Sequence, residues 1–114
     1  MSIEVRSVTK SYGPQKAVDG ISFSASKGQI LGFLGPNGAG KTTTMKIITG
    51  YIDADEGTVE LDGHTIQDHP AEVKRMIGYL PEHNPLYTDM YVHEYLEFAG
   101  RLSGLSDAEA RRRI

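Results

Sequence analysis

Residues Gly35-Pro-Asn-Gly-Ala-Gly40-Lys41-Thr42 gather three glycines, a proline, an amine and a hydroxyl into eight positions. The order satisfies G-x-x-x-x-G-K-[ST], with a short apolar run before it and a helix-like run after it. These residue types suit the holding of phosphate. Backbone N–H groups running from Asn37 through Gly38, Ala39, Gly40, Lys41 and Thr42 to Thr43 can curl around phosphate oxygens, and a Cβ at Gly38 or Gly40 would obstruct that curl. The positive end of the following helix faces the same anion. Lys41 would reach the β- and γ-phosphates, and the Thr42 hydroxyl would ligate Mg²⁺. A glycine-rich turn that only caps a helix is the plainer alternative, but it leaves the Lys-Thr pair and both flanks to accident. A dinucleotide fingerprint does not fit, because the glycines run G-x-x-G-x-G rather than G-x-G-x-x-G. The stretch therefore reads as a nucleoside triphosphate site. Alone it leaves kinases, GTPases and transport ATPases open.

The elements around the loop follow from hydrophobic spacing. Ile3, Val5 and Val8 roughly alternate with polar residues, and Ile21, Phe23 and Ala25 alternate strictly, so both segments read as half-buried strands. "QILGFLG" (29–35) is a continuous apolar run, which predicts a strand covered on both faces. "TTTMKIIT" (42–49) takes helical spacing and ends at Gly50. "GTVELDGHTI" (57–66) predicts a strand and a tight turn at Asp62-Gly63. Asp68 and Pro70 predict the cap and first turn of a short helix, and "MIGYL" (76–80) a second buried strand. Val92, Tyr95, Leu96, Ala99 and Leu102 share one helical face. Ser106 with Glu109 predicts a capping box, opening a helix in which the sequence stops. That ending is what a truncated protein would show.

Composition narrows the class. At 39% hydrophobic and 24% charged the 114 residues suit one globular domain. No apolar run approaches the ~20 residues of a membrane-spanning helix. The absence of cysteine excludes a disulfide framework and a thiolate metal site. A net charge of −3 gives no basic footprint, so no nucleic-acid partner is expected, and "RRRI" at the end reads as a solvated helix face. His64, His69, His83 and His93 show no zinc spacing and read as surface or turn residues.

"GPNGAGKTTTMKIITG" resembles the phosphate loop of ABC (ATP-binding cassette) ATPases, and "AVDGISFSASKGQILGFLG" the strand pair leading into it. The resemblance runs from "VRSVTKSYGPQKAV" to "IGYLPEHNPLYTDMYVHEYLEFAGRL", and the latter looks like ATP-binding subunits of bacterial ABC-2-type exporters, the gliding-motility type included. It implies an α/β fold, a P-loop NTPase core. In that fold an antiparallel β subdomain lies beside the start of a parallel sheet, and a helical subdomain begins at 89–114. Residues 1–114 would be the N-terminal part of one nucleotide-binding domain, with the phosphate loop at 35–42 and the Q-loop region at 78–84. In such ATPases an aromatic after the first strand stacks on adenine, and Tyr12 holds that position; by spacing alone it is equally an ordinary turn tyrosine. Glu82 stands where most members carry the Q-loop glutamine. A carboxylate there can ligate Mg²⁺ or orient a catalytic water, though a solvated loop glutamate is the alternative.

Some family marks are missing. Leu102-Ser103-Gly104 is similar to the LSGGQ signature but lacks its second glycine and glutamine, and it reads as a helix end. No Walker B run or switch histidine is found. The resemblance thus implies the N-terminal half of an ABC transporter's ATP-binding subunit, using ATP and Mg²⁺. In the full protein it would pair in a homodimer or heterodimer. It would sit peripherally on the cytoplasmic face of the cell membrane, against an ABC-type permease subunit docked near 83–91. The 114 residues alone are expected to bind nucleotide at most, and to be poorly stable or self-associating. A soluble ABC ATPase of DNA repair or translation is the alternative.

Overall fold

The computed structural model describes residues 1–114, which form two compact units, Met1–Tyr79 and Leu80–Ile114. In the first, β1 (Ile3–Tyr12) and β2 (Gln15–Ala25) make an antiparallel hairpin around Gly13-Pro14, with Tyr12 opposite Gln15. After the glycine-rich loop comes helix α1 (Lys41–Ile48), and then β3 (Glu56–Leu61), antiparallel to the other edge of β1. The turn at Asp62-Gly63, left-handed at both residues, leads into the short β4 (His64–Thr65), giving the sheet order β2-β1-β3-β4.

A bulge explains the loose alternation in β1. The register slips between Val5 and Val8, where Ser7 adopts φ 49° and its N–H donates to Ser22 Oγ at 2.8 Å. One extra residue brings both valines, three apart, onto the same face. Both are buried there with Val59 and Leu61, in a cluster that also holds Val18 of β2, Ile47 and Ile48 of α1, Ile66 and Val73. Each such side chain contributes about 1.5–3 kcal/mol on burial, so this cluster fixes α1, and the loop ahead of it, on the sheet. At its other end α1 closes through Gly50 N–H to Ile47 O (3.1 Å) and Tyr51 N–H to Lys46 O (2.8 Å), the paired bonds of a Schellman motif.

Three expectations are corrected here. Residues 29–35 form no strand: Ile30 and Leu34 are 97% and 96% exposed, and Phe33 packs on Phe23 with ring centroids 5.4 Å apart. Residues 76–80 form no strand either, and Leu80 is exposed. The reason is shared. A strand exists only as half of a ladder, and no segment of these 114 residues pairs with either run, so no parallel sheet forms among them. The N-cap position of helix α2 (Pro70–Arg75) is His69, not Asp68, and no side chain makes a capping bond there. The Asp68 carboxylate is taken by the Thr65 hydroxyl at 2.7 Å.

The second unit is a helix pair, α3 (Val92–Leu102) and α4 (Asp107–Arg113). Gly104 ends α3 with the same two bonds, Gly104 N–H to Arg101 O and Leu105 N–H to Gly100 O, each 3.0 Å. The helices approach where Gly100 faces Ala110: a Cβ at Gly100 would stand 3.1 Å from that of Ala110. Only half of the predicted capping box forms. Ser106 Oγ accepts from Glu109 N–H at 3.2 Å, but the Glu109 carboxylate accepts from Arg112 and Arg113 instead. The apolar face of α3 is only partly covered: Tyr95 and Ala99 are half-buried, whereas Val92, Leu96 and Leu102 are exposed. Tyr87 packs edge-on against Phe98, while Leu86 and Tyr91 are exposed. No helix is long and apolar enough to cross a membrane.

Candidate nucleotide-binding site

The glycine-rich loop is held on β2 at Gly40 and closed on itself through Lys41. Gly40, the N-cap of α1, has φ 94°, and its Cα rests on β2 so closely that a Cβ would lie 2.2 Å from Ala17 O. Glycine is required there twice over, by angle and by space. Gly38 has φ 86°, but a Cβ would meet nothing, so the expected steric obstruction at this position is absent and the backbone angle alone asks for glycine. Lys41 Nζ donates back to Gly35 O, drawing the ammonium across the loop. Thr44 is the first residue of α1 to bond down the helix, its N–H and Oγ1 both reaching Gly40 O at 2.9 and 2.8 Å. The amides of Lys41, Thr42 and Thr43 precede that first bond and point out of the helix end, as helix geometry demands.

Tyr12, Asn37, Gly38, Gly40, Lys41, Thr42 and Thr43 line one cleft of about 430 Å³, with Gln15 and Ala17 added from β2. The β1–β2 hairpin and the packing of Gly40 on Ala17 therefore bring an aromatic ring and a phosphate-type loop, distant in sequence, to one place. Lys41 is the one charged residue of the lining, and no carboxylate faces it, although the chain as a whole is acidic. Such a cleft favours an anion at one end. Ala39 and Glu82 are not among the lining residues. The Ala39 N–H is already bonded to Pro36 O at 3.1 Å, and Glu82 stands exposed in the second unit, ahead of α3. Gln15 was not foreseen, though the two-residue Gly13-Pro14 connection places it directly across from Tyr12. A second cleft of about 450 Å³, lined by Thr49, Gly50, Tyr51, Lys74, Ile77 and Tyr79, is as large but has neither a loop of amides nor a helix N-terminus.

The sequence profile of the ABC transporter family matches residues 18–113. The chain belongs to the ABC transporter family. Among its ABC relatives, the linearmycin resistance ATP-binding protein LnrL of Bacillus subtilis is 40% identical over 111 residues, which are 97% of this chain and 36% of that protein. The Nod factor export ATP-binding protein I of Ralstonia nicotianae is 43% identical over 112 residues, 98% of this chain and 35% of that one. A solved ATP-binding subunit of an ABC transporter superposes with a TM-score of 0.87 at 33% identity, covering 99% of this chain and 47% of its own. The α/β fold class of an ABC ATPase is thus established. The chain spans about a third of the length of these curated relatives, and about half of that solved chain.

Proposed function

We propose that these residues hold the nucleotide in the ATP-binding subunit of an ABC transporter, which couples ATP binding and hydrolysis to transport through a separate permease subunit. The observation that carries this reading is the cleft shared by Tyr12 and the phosphate loop. ATP has the two matching ends. Its base stacks on the Tyr12 ring, which is 54% exposed, and its phosphates lie over the start of α1, against the free amides of Lys41–Thr43 and the Lys41 ammonium. Mg²⁺ fits the donor set: it binds through one or two protein oxygens plus phosphate oxygens and water, and the Thr42 hydroxyl on the cleft wall is one hard oxygen. When bound, the ion would neutralise charge between the β- and γ-phosphates.

Tyr12→Ala is expected to weaken ATP and GTP alike, by about two- to tenfold, because stacking reads a face and not an edge. Tyr12→Phe should be nearly silent. Calorimetric titration of the variants with both nucleotides checks this, and a Phe variant as damaged as Ala would mean that the hydroxyl, not the ring, does the binding.

The 114 residues alone should not turn over ATP. They offer groups that hold phosphates, whereas phosphoryl transfer also needs an oriented water and further charge neutralisation. Steady-state phosphate release, measured beside the full-length protein (these residues with whatever sequence continues them), is the check. Magnesium-dependent release that Lys41→Ala abolishes would overturn it.

The permease is proposed to dock on the stretch His83–Tyr91, on the cytoplasmic face of the membrane, with the ATP-binding subunits paired. Leu86 and Tyr91 are exposed among polar neighbours there, a mixture that suits an interface. Cysteines at the exposed Asn84 and Thr88 should crosslink to a membrane protein in native membranes. No crosslink across several reagent lengths would refute the docking.

A further inference from the structure

Tyr12 ends β1 beyond the reach of the sheet on one side. The β1–β3 ladder has its last pair at Thr9 and Glu56, so Lys10, Ser11 and Tyr12 run on with only β2 beside them. Asp55 takes over where the ladder stops. Its N–H donates to Thr9 O at 2.9 Å, its Oδ2 accepts from Ser11 N–H at 2.7 Å, and its Oδ1 accepts from Lys10 Nζ at 3.4 Å. Lys10, mostly covered, sets its ammonium 5.5 Å from the centre of the Tyr12 ring, within the range of a cation–π contact.

One residue thus touches each of the three positions ahead of Tyr12, and through the middle one it reaches the ring. A surface ion pair by itself stabilises little. This one differs in what it holds. A tyrosine at a hairpin end is otherwise free to turn about two side-chain bonds, and a base that stacks on it must first stop that motion. With an ammonium seated on one face, the ring presents its other face to a base.

Resting on the reading of Tyr12 as the base platform, we propose that Asp55 is a positioning residue for nucleotide binding, acting through Lys10 and the Ser11 amide to fix that ring. The Ser11 N–H, with the Lys10 ammonium adding to it, also holds the Asp55 carboxyl below the ordinary carboxylate range, so the group is charged when it does this.

The test is a set of double-mutant cycles in the full-length protein, titrated with ATP and with inorganic tripolyphosphate. Asp55→Asn keeps an acceptor for Ser11 but loses the charge that holds Lys10; Lys10→Met keeps the stem and loses the ammonium. Each should weaken ATP about two- to fivefold, by less than Tyr12→Ala does. Each should leave tripolyphosphate affinity unchanged, and each should have no further effect once Tyr12 is alanine. Wild-type ATP affinity in both variants overturns the proposal. So does an equal loss for tripolyphosphate, which would mean general distortion of the fold, or an undiminished loss in the Tyr12→Ala background. If Tyr12→Ala alone leaves ATP affinity intact, the base-platform reading fails and takes this proposal with it. If Tyr12→Ala weakens ATP while the Asp55 and Lys10 variants do not, only the positioning role is lost.

Discussion

Lys41→Ala should lower ATP affinity by roughly 10- to 150-fold, the loss of one charge-assisted contact worth about 1.5–3 kcal/mol. The fold gives reason to expect that the loss reads binding alone. The partner that Lys41 leaves behind is Gly35 O, on an exposed residue that water can satisfy, so no buried polar group is orphaned. The helix that begins at Lys41 is anchored by Ile47 and Ile48 in the core and does not depend on the ammonium. Alanine is also the best helix former at the vacated position. Calorimetry of the full-length protein, with thermal unfolding as control, decides the matter. A folded variant with unchanged ATP affinity would remove the phosphate-loop assignment.

Gly40→Ala should do still more damage, and to stability as well as binding. The new Cβ would sit 2.2 Å from the backbone oxygen of Ala17, where no flexible side chain can yield, and the φ of 94° is strained for any L-residue. Either the loop lifts off β2 or α1 unwinds at its first turn. Each outcome spoils several amide contacts to phosphate together, so ATP binding should fall about 100-fold or more, with a stability loss of about 2–4 kcal/mol. Gly38→Ala is the natural control. It meets no atom, and should cost only the backbone strain of about 1–2 kcal/mol. Chemical denaturation of the two variants side by side measures the contrast, and a Gly40→Ala protein as stable as Gly38→Ala would show that the Ala17 contact does not hold the loop.

Much of what depends on a few neighbouring residues was readable in the sequence. The turn at Asp62-Gly63, the helix ends at Gly50 and Gly104 and the loop from Gly35 to Thr42 are specified by residues within one or two turns of themselves. The runs at 29–35 and 76–80 have the composition of buried strands, but a ladder needs a partner that composition cannot supply. Asp68 looked like the helix cap because caps are usually Asp, Ser, Thr or Asn, yet Thr65 offered its carboxylate a better-placed donor. In the site, Tyr12 and the loop were nameable one by one. That they share a cleft depends on the bulged β1–β2 hairpin and on the contact of Gly40 with Ala17, neither of which has a local signature. Asp55 was invisible for the same reason, since it acts 44 residues from the Ser11 amide it binds.

The amides of Lys41, Thr42 and Thr43 come before the first bond of α1, whereas the residues behind them are locked into the helix and its core. In terms of hydrogen exchange, these three amides are expected to trade protons with solvent from the native state, without waiting for any opening, while Ile47 and Ile48 should exchange only when the unit loosens. An occupant that offers oxygens to these three amides slows their exchange before it changes anything else in the molecule. The cleft therefore contains its own gauge of occupancy, legible one amide at a time and independent of whether anything is hydrolysed.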